Sequence, residues 1–81
     1  MRLDKYLKIS RIIKRRTIAK EASDSGRITI NNKPAKASTE VKEGDIIEIQ
    51  FGDKKFIAEI TTVKEHVSKD DAKEMYRIIE G

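Results

Sequence analysis

The chain has no cysteine, one proline, one histidine, four glycines and four aromatic residues in 81 positions. Each scarcity removes a class of function. Without cysteine there is neither a disulfide framework nor a thiolate metal site, which fits a reducing compartment. A single histidine, His66, has no second imidazole to share a metal. The glycines are dispersed, so no glycine-rich phosphate loop exists. Glu40, Glu43 and Asp45 surround a glycine turn but lack the loop pattern of a calcium site. Serines 10, 23, 25, 38 and 68 have no histidine at a suggestive position, and Asp70-Asp71 read as first-turn helix acids. Two Tyr and two Phe are too few for a base-stacking platform. Tyr6, at helical spacing with Leu3 and Ile9, belongs to the core, and Phe51 and Phe56 read as packing residues. The N-terminus, MRLDKYLKIS, lacks an apolar signal region, and no run approaches the roughly 20 apolar residues of a membrane span. At 37% hydrophobic and 40% charged, one modest core is all this length allows. These absences point to a soluble, cytoplasmic, noncatalytic single domain over residues 1–81, with no cofactor and no membrane contact.

Acidic residues are also scarce where basic ones are dense. Residues 1–38 hold 11 of the 18 Lys and Arg but 3 of the 14 acids (Asp4, Glu21, Asp24), a balance of +8. Residues 39–81 carry 7 basic and 11 acidic side chains, a balance of −4. Such segregation gives one cationic face, whose natural partner is a polyanion.

The hydrophobic period is helical at first and then becomes two. Residues 2–10 suit a short helix with Leu3, Tyr6, Leu7 and Ser10 on one face, and Asp4 in the first turn to complement the macrodipole. Arg11 to Lys14 form a tight connection. Residues 16–25 form a second helix with Ile18, Ala19 and Ala22 on its buried face, stopped by Gly26. Arg27 to Ile30 alternate as a strand, Asn31-Asn32 make a type I′ turn, and Pro34 marks an edge. Residues 36–45 are polar and close on the turn Glu43-Gly44-Asp45. Strands Ile46–Phe51 and Phe56–Val63 are joined across Gly52 to Lys55. Ser68 opens a short helix over 69–75, and Tyr76–Ile79 return as a last strand. The fold class is α+β.

Lys14-Arg15-Arg16 is the sharpest local signal. A helix N-terminus already carries partial positive charge, and cations there cost a few tenths of a kcal/mol each. An external phosphate would supply the missing anion, gripped by the helix end and guanidinium forks together. Lys20 lies one turn beyond Arg16; Arg2, Lys5 and Lys8 extend the patch along the first helix, and Arg27 follows the second. Neither helix offers a row of Asn, Gln and Arg suited to reading base edges, so backbone and shape recognition of structured RNA is favoured over DNA. Two other readings stay open: an RNA-targeting subunit of an RNA-modifying enzyme, and a small DNA-binding regulator.

Residues Arg2 to Leu7, Lys14 to Lys20, Gly26 to Asn31, Lys36 to Ser38 and Gly44 to Ile47 together resemble the S-four RNA-binding domain (alpha-L motif). The similarity runs over residues 2–50 in order and spacing. It implies two N-terminal helices packed on a small, bent, mostly antiparallel sheet, with RNA along the helical face. Carried over position by position, that face comprises Arg2, Lys5, Arg11, Lys14, Arg15, Arg16, Thr17 and Lys20, flanked by Arg27, Lys36 and Ser38. Asn31-Asn32 replaces the usual Asn-Gly turn, and Asn tolerates the required positive φ. Stand-alone chains of this type resemble the bacterial heat-shock S-four proteins and a ribosome quality control family. The second resemblance implies binding to large-subunit ribosomal RNA and peptidyl-tRNA on obstructed large ribosomal subunits. It also implies support of C-terminal tailing of the stalled chain by an RqcH-type factor, from a protein that is a monomer when free.

Overall fold

Leu3, Tyr6 and Leu7 fall on one stripe of the first helix, α1 (Leu3–Ile9), and all three are fully buried. The computed structural model describes residues 1–81. A second helix, α2 (Arg16–Asp24), crosses beside α1 and contributes small residues to the interior: Ala19 and Ser23 are buried and Ala22 half-buried. Ile18 is instead 49% exposed, which corrects its expected place in the core. The helix turns its smallest side chains inward, so that its backbone can lie close to α1.

The five strands are β1 (Ile28–Ile30), β2 (Lys33–Pro34), β3 (Ile46–Phe51), β4 (Lys54–Ile60) and β5 (Tyr76–Glu80). They pair antiparallel in the order β2-β1-β3-β4-β5, with Pro34 on the edge strand as its missing donor requires. Ile28 and Ile30 face Ile49 and Ile47 across the β1–β3 pair, and Ala58 and Ile60 continue the same buried surface. Each fully buried Leu or Ile contributes about 1.5–3 kcal/mol by leaving water. Phe51, at the end of β3, is half exposed rather than packed. The β3–β4 connection is two residues, Gly52-Asp53, with Phe51 opposite Lys54. So β4 begins earlier than the hydrophobic pattern suggests and ends at Ile60. Lys55 joins the ladder opposite Gln50, with its ammonium 3.5 Å from Glu48.

Turn chemistry fixes the joints. Gly26, at φ 86°, follows α2 in the left-handed region, and Arg27 and Gly26 donate to the carbonyls of Ala22 and Ser23. That is a Schellman stop. Asn31 and Asn32 both take positive φ (52° and 68°), so the turn forms without glycine. Asn31 also accepts from the Ile46 amide at 2.9 Å and donates to Asp45 at 3.0 Å, which seats the turn on the start of β3. Asp45 is buried and satisfied, since its other oxygen accepts from the Lys42 amide.

The late helix is a 3₁₀ turn over Asp71–Met75, with the Asp71 amide donating to Ser68 Oγ. It is tied to α1 by Tyr6, whose buried hydroxyl donates to the Met75 carbonyl at 2.8 Å. Burial, reinforced by the nearby Tyr76 phenol, pushes the Tyr6 hydroxyl well above the usual phenol range. Phe56 and Tyr76 meet edge to face, 6.0 Å between centroids, between β4 and β5.

Candidate nucleic-acid interface

The N-terminus of α2 is built without a cap. Arg15 stands at the N-cap with extended backbone and no side-chain hydrogen bond, and no acid lies in the first turn. The first backbone bond of the helix runs from the Ala19 amide to the Arg15 carbonyl. The preceding amides, of Arg16, Thr17 and Ile18, are the donors that a helix start leaves without an intrahelical acceptor. All three side chains are exposed. This end of the helix therefore presents N–H groups, a guanidinium and an apolar side chain to solvent together.

Asp4 organises the cations beside it. Its carboxylate is almost entirely buried, and its Oδ1 accepts from the Lys5 amide at 2.8 Å. Arg2 Nε lies 3.3 Å from the same oxygen, and Arg2 Nη2 donates to Oδ2 at 3.3 Å. Arg16 Nε approaches Oδ2 at 3.4 Å. One carboxylate thus holds two guanidinium groups, one from the residue before α1 and one from the first turn of α2. Both arginine side chains remain about half exposed, 49% and 47%. The local balance is still positive, and the groups are held rather than free to wander.

The run Lys14-Arg15-Arg16 does not act as one cluster. Arg16 turns to Asp4, whereas Lys14 joins Lys8 and Arg11 around a concavity at the far end of α1. Lys5 is engaged by Glu65. That hydrogen bond and charge hold the Glu65 carboxyl below its ordinary range. Lys20 is exposed one turn along α2 from Arg16, with no carboxylate in ion-pair range. Arg27 is exposed just past the other end of α2, its carbonyl accepting from the Gln50 amide. Lys36 reaches the Asp24 carbonyl there at 3.4 Å, and Ser38 is exposed on the same 36–39 turn. That turn is docked on α2 by Asp24, whose carboxylate accepts from the Ala37 amide. Eight residues at about 1.5 Å rise separate Arg16 from Asp24, so the two groups stand roughly 12 Å apart along one helix.

Sequence spacing identified the cations but not their partners. Arg16 with Asp4 and Lys5 with Glu65 are contacts between distant positions, which periodicity cannot supply. Ile18, which its hydrophobicity assigns to the core, is exposed in the first turn of α2 beside Arg15 and Arg16. No three His, Asp or Glu side chains converge as metal ligands would, and no helix is long and apolar enough to cross a membrane.

Comparison with known proteins agrees with this architecture. The S4 domain family matches residues 1–47. A protein of Halalkalibacterium halodurans named RQC P-site tRNA stabilizing factor is 58% identical over 78 residues, covering 96% of this chain and 89% of its own. The Bacillus subtilis protein of that name is 51% identical over 79 residues, covering 98% and 92%. Among solved structures, the trimeric Heat Shock Protein 15 of Vibrio cholerae superposes with a TM-score of 0.87 at 28% identity, over 96% of this chain and 80% of the other. With two helices on a five-stranded antiparallel sheet and this extent of similarity, the chain belongs to the S4 domain family, in the group of the RQC P-site tRNA stabilizing factors.

Proposed function

We propose that the chain is a noncatalytic RNA-binding factor of ribosome quality control. It binds large-subunit ribosomal RNA and peptidyl-tRNA on obstructed large subunits, in the cytoplasm, and so supports C-terminal tailing of the stalled nascent chain by an RqcH-type factor. The relatives' name, a factor stabilising P-site tRNA, supports the tRNA part of this reading. The observation that carries it is the Asp4 cluster: two half-exposed guanidinium groups held by one buried carboxylate beside an uncapped helix start. Phosphate oxygens fit that arrangement, because helix amides and guanidinium forks both donate to them. Arg15, Thr17 and Lys20 extend the grip along α2, and Arg27, Lys36 and Ser38 supply a second contact at its other end.

The mechanism is stabilisation of a bound state. No proton needs to move; the protein lowers the free energy of one arrangement of RNA and tRNA relative to dissociation. The test compares Arg16→Ala with Lys73→Ala, the latter lying among Asp70, Asp71 and Glu74, in binding to large subunits across a salt series. Arg16→Ala weakens binding and makes the slope of log K against log[salt] shallower by about 0.7–0.9 for a lost phosphate contact. Lys73→Ala leaves both unchanged. Equal effects from the two substitutions would remove the localised face.

A further inference from the structure

At the opposite end of α1 from Asp4 lies a cleft of about 300 Å³. Ligand pockets run from about 300 to 1,000 Å³, so the space suits a small group. One wall is Lys8, Ile9, Arg11 and Lys14; the other comes from the irregular segment before the 3₁₀ helix. That second wall, Glu65 to Val67, lies beyond the residues matched by the S4 domain.

The charges in the cleft are unbalanced. Lys8, Arg11 and Lys14 are exposed, and none makes an ion pair with a carboxylate. The one acid in the wall, Glu65, is already engaged by Lys5. Like charges gathered in a concavity focus the field and concentrate anions.

Arg11 supplies a second, independent observation. It follows α1 in the left-handed region at φ 63°, the position that glycine fills after α2. A side-chain-bearing residue there is strained and persists when surrounding bonds enforce it. Here the Arg11 amide donates to the Lys8 carbonyl and the Ile13 amide to that of Leu7, both at 3.1 Å. A guanidinium at this joint breaks a local rule that glycine would satisfy, which marks the place as one where the side chain is used. The walls also offer apolar surface, from half-buried Ile9 and Val67, and the exposed ring of His66.

We propose that this cleft receives one unpaired nucleotide of the bound RNA. Its phosphate lies among Lys8, Arg11 and Lys14, and its sugar and base lie against Ile9, Val67 and the His66 ring. Unstacked nucleotides in loops and bulges are the usual targets where proteins distinguish RNA features. The inference rests on the RNA-binding reading above and adds to it a pocket that the C-terminal half helps to build.

Isotope-labelled protein, titrated at low salt with adenosine monophosphate, inorganic phosphate and adenosine, tests this by NMR. Adenosine monophosphate shifts the amides of residues 8–14 and 65–67 saturably, phosphate shifts the first set more weakly, and adenosine shifts neither set. Arg11→Gly abolishes the response without lowering the melting temperature, because glycine relieves the strained joint. His66→Ala weakens the nucleotide response and spares that to phosphate. With structured RNA, Arg11→Gly makes the salt slope shallower by about 0.7, one single-strand phosphate. Shifts spread evenly over Arg16, Lys20 and Arg27, or an intact response in Arg11→Gly, would overturn the pocket. If Arg16→Ala still weakens RNA binding in that event, the RNA reading stands without it; if the wild-type protein binds no RNA, both fall.

Discussion

Replacing Asp4 with Asn separates bulk electrostatics from positioning. The change raises the net charge from +4 to +5 at the heart of the cationic face. If charge alone set affinity, RNA would bind more tightly. The geometry gives the opposite sign. Asn retains an oxygen for the Lys5 amide, but its NH₂ group puts a donor where Oδ2 was the acceptor common to Arg2 Nη2 and Arg16 Nε, so both guanidinium groups lose that anchor. Both side chains are about half exposed and relax into water, which keeps the folding penalty below the 3–5 kcal/mol of breaking a fully buried pair. The loss reappears on binding. Re-immobilising a long side chain costs about 0.5–1.5 kcal/mol, so two cost about 1–3 kcal/mol, or roughly 5- to 150-fold in Kd. Fluorescence anisotropy with structured RNA reads that change, and thermal unfolding establishes that the variant is folded. Binding equal to or tighter than wild type, by a folded Asp4→Asn protein, would refute positioning by Asp4.

Three other outcomes follow from particular contacts. Tyr6→Phe removes the hydroxyl donor to Met75, but that carbonyl also accepts from the Thr61 and Thr62 amides, so chemical denaturation should show a loss of only about 0.5–1.5 kcal/mol. Lys5→Met raises the Glu65 carboxyl toward the ordinary carboxylate value, seen by NMR titration; in the wild type the pair is complete above that ordinary value and is lost as pH falls through the lowered one. Ile18→Glu puts an acid in the first turn of α2, which raises stability by a few tenths of a kcal/mol through the macrodipole while weakening RNA binding. Parallel changes in melting temperature and affinity would contradict an RNA contact at the exposed start of α2.

Much of the fold could be read in the chain because local rules and global packing agree. Gly26 after an amphipathic stretch, two asparagines between alternating residues and a proline at a sheet edge each have one physical meaning. The errors arose where two meanings compete. Hydrophobicity groups Ile18 with Ala19 and Ala22 on the buried face of α2, whereas close packing against α1 admits the small residues and leaves Ile18 exposed. Lys54 and Lys55 are weak strand formers, yet the two-residue turn at Gly52-Asp53 places them opposite Phe51 and Gln50. The cationic face was visible as charge segregation, since like charges must find a counterion somewhere. Its internal order was not, because Asp4 reads equally well as a first-turn acid. The contribution of residues 65–67 depends on a chain crossing that no local pattern encodes.

Cosedimentation with purified large ribosomal subunits, bearing peptidyl-tRNA or empty, tests the functional claim most directly. Wild-type protein should remain on the tRNA-bearing subunits at salt that strips it from empty ones, and a protein carrying both Arg2→Ala and Arg16→Ala should be lost from both. Equal retention of wild-type and doubly substituted protein would contradict a function exercised through the α1–α2 face.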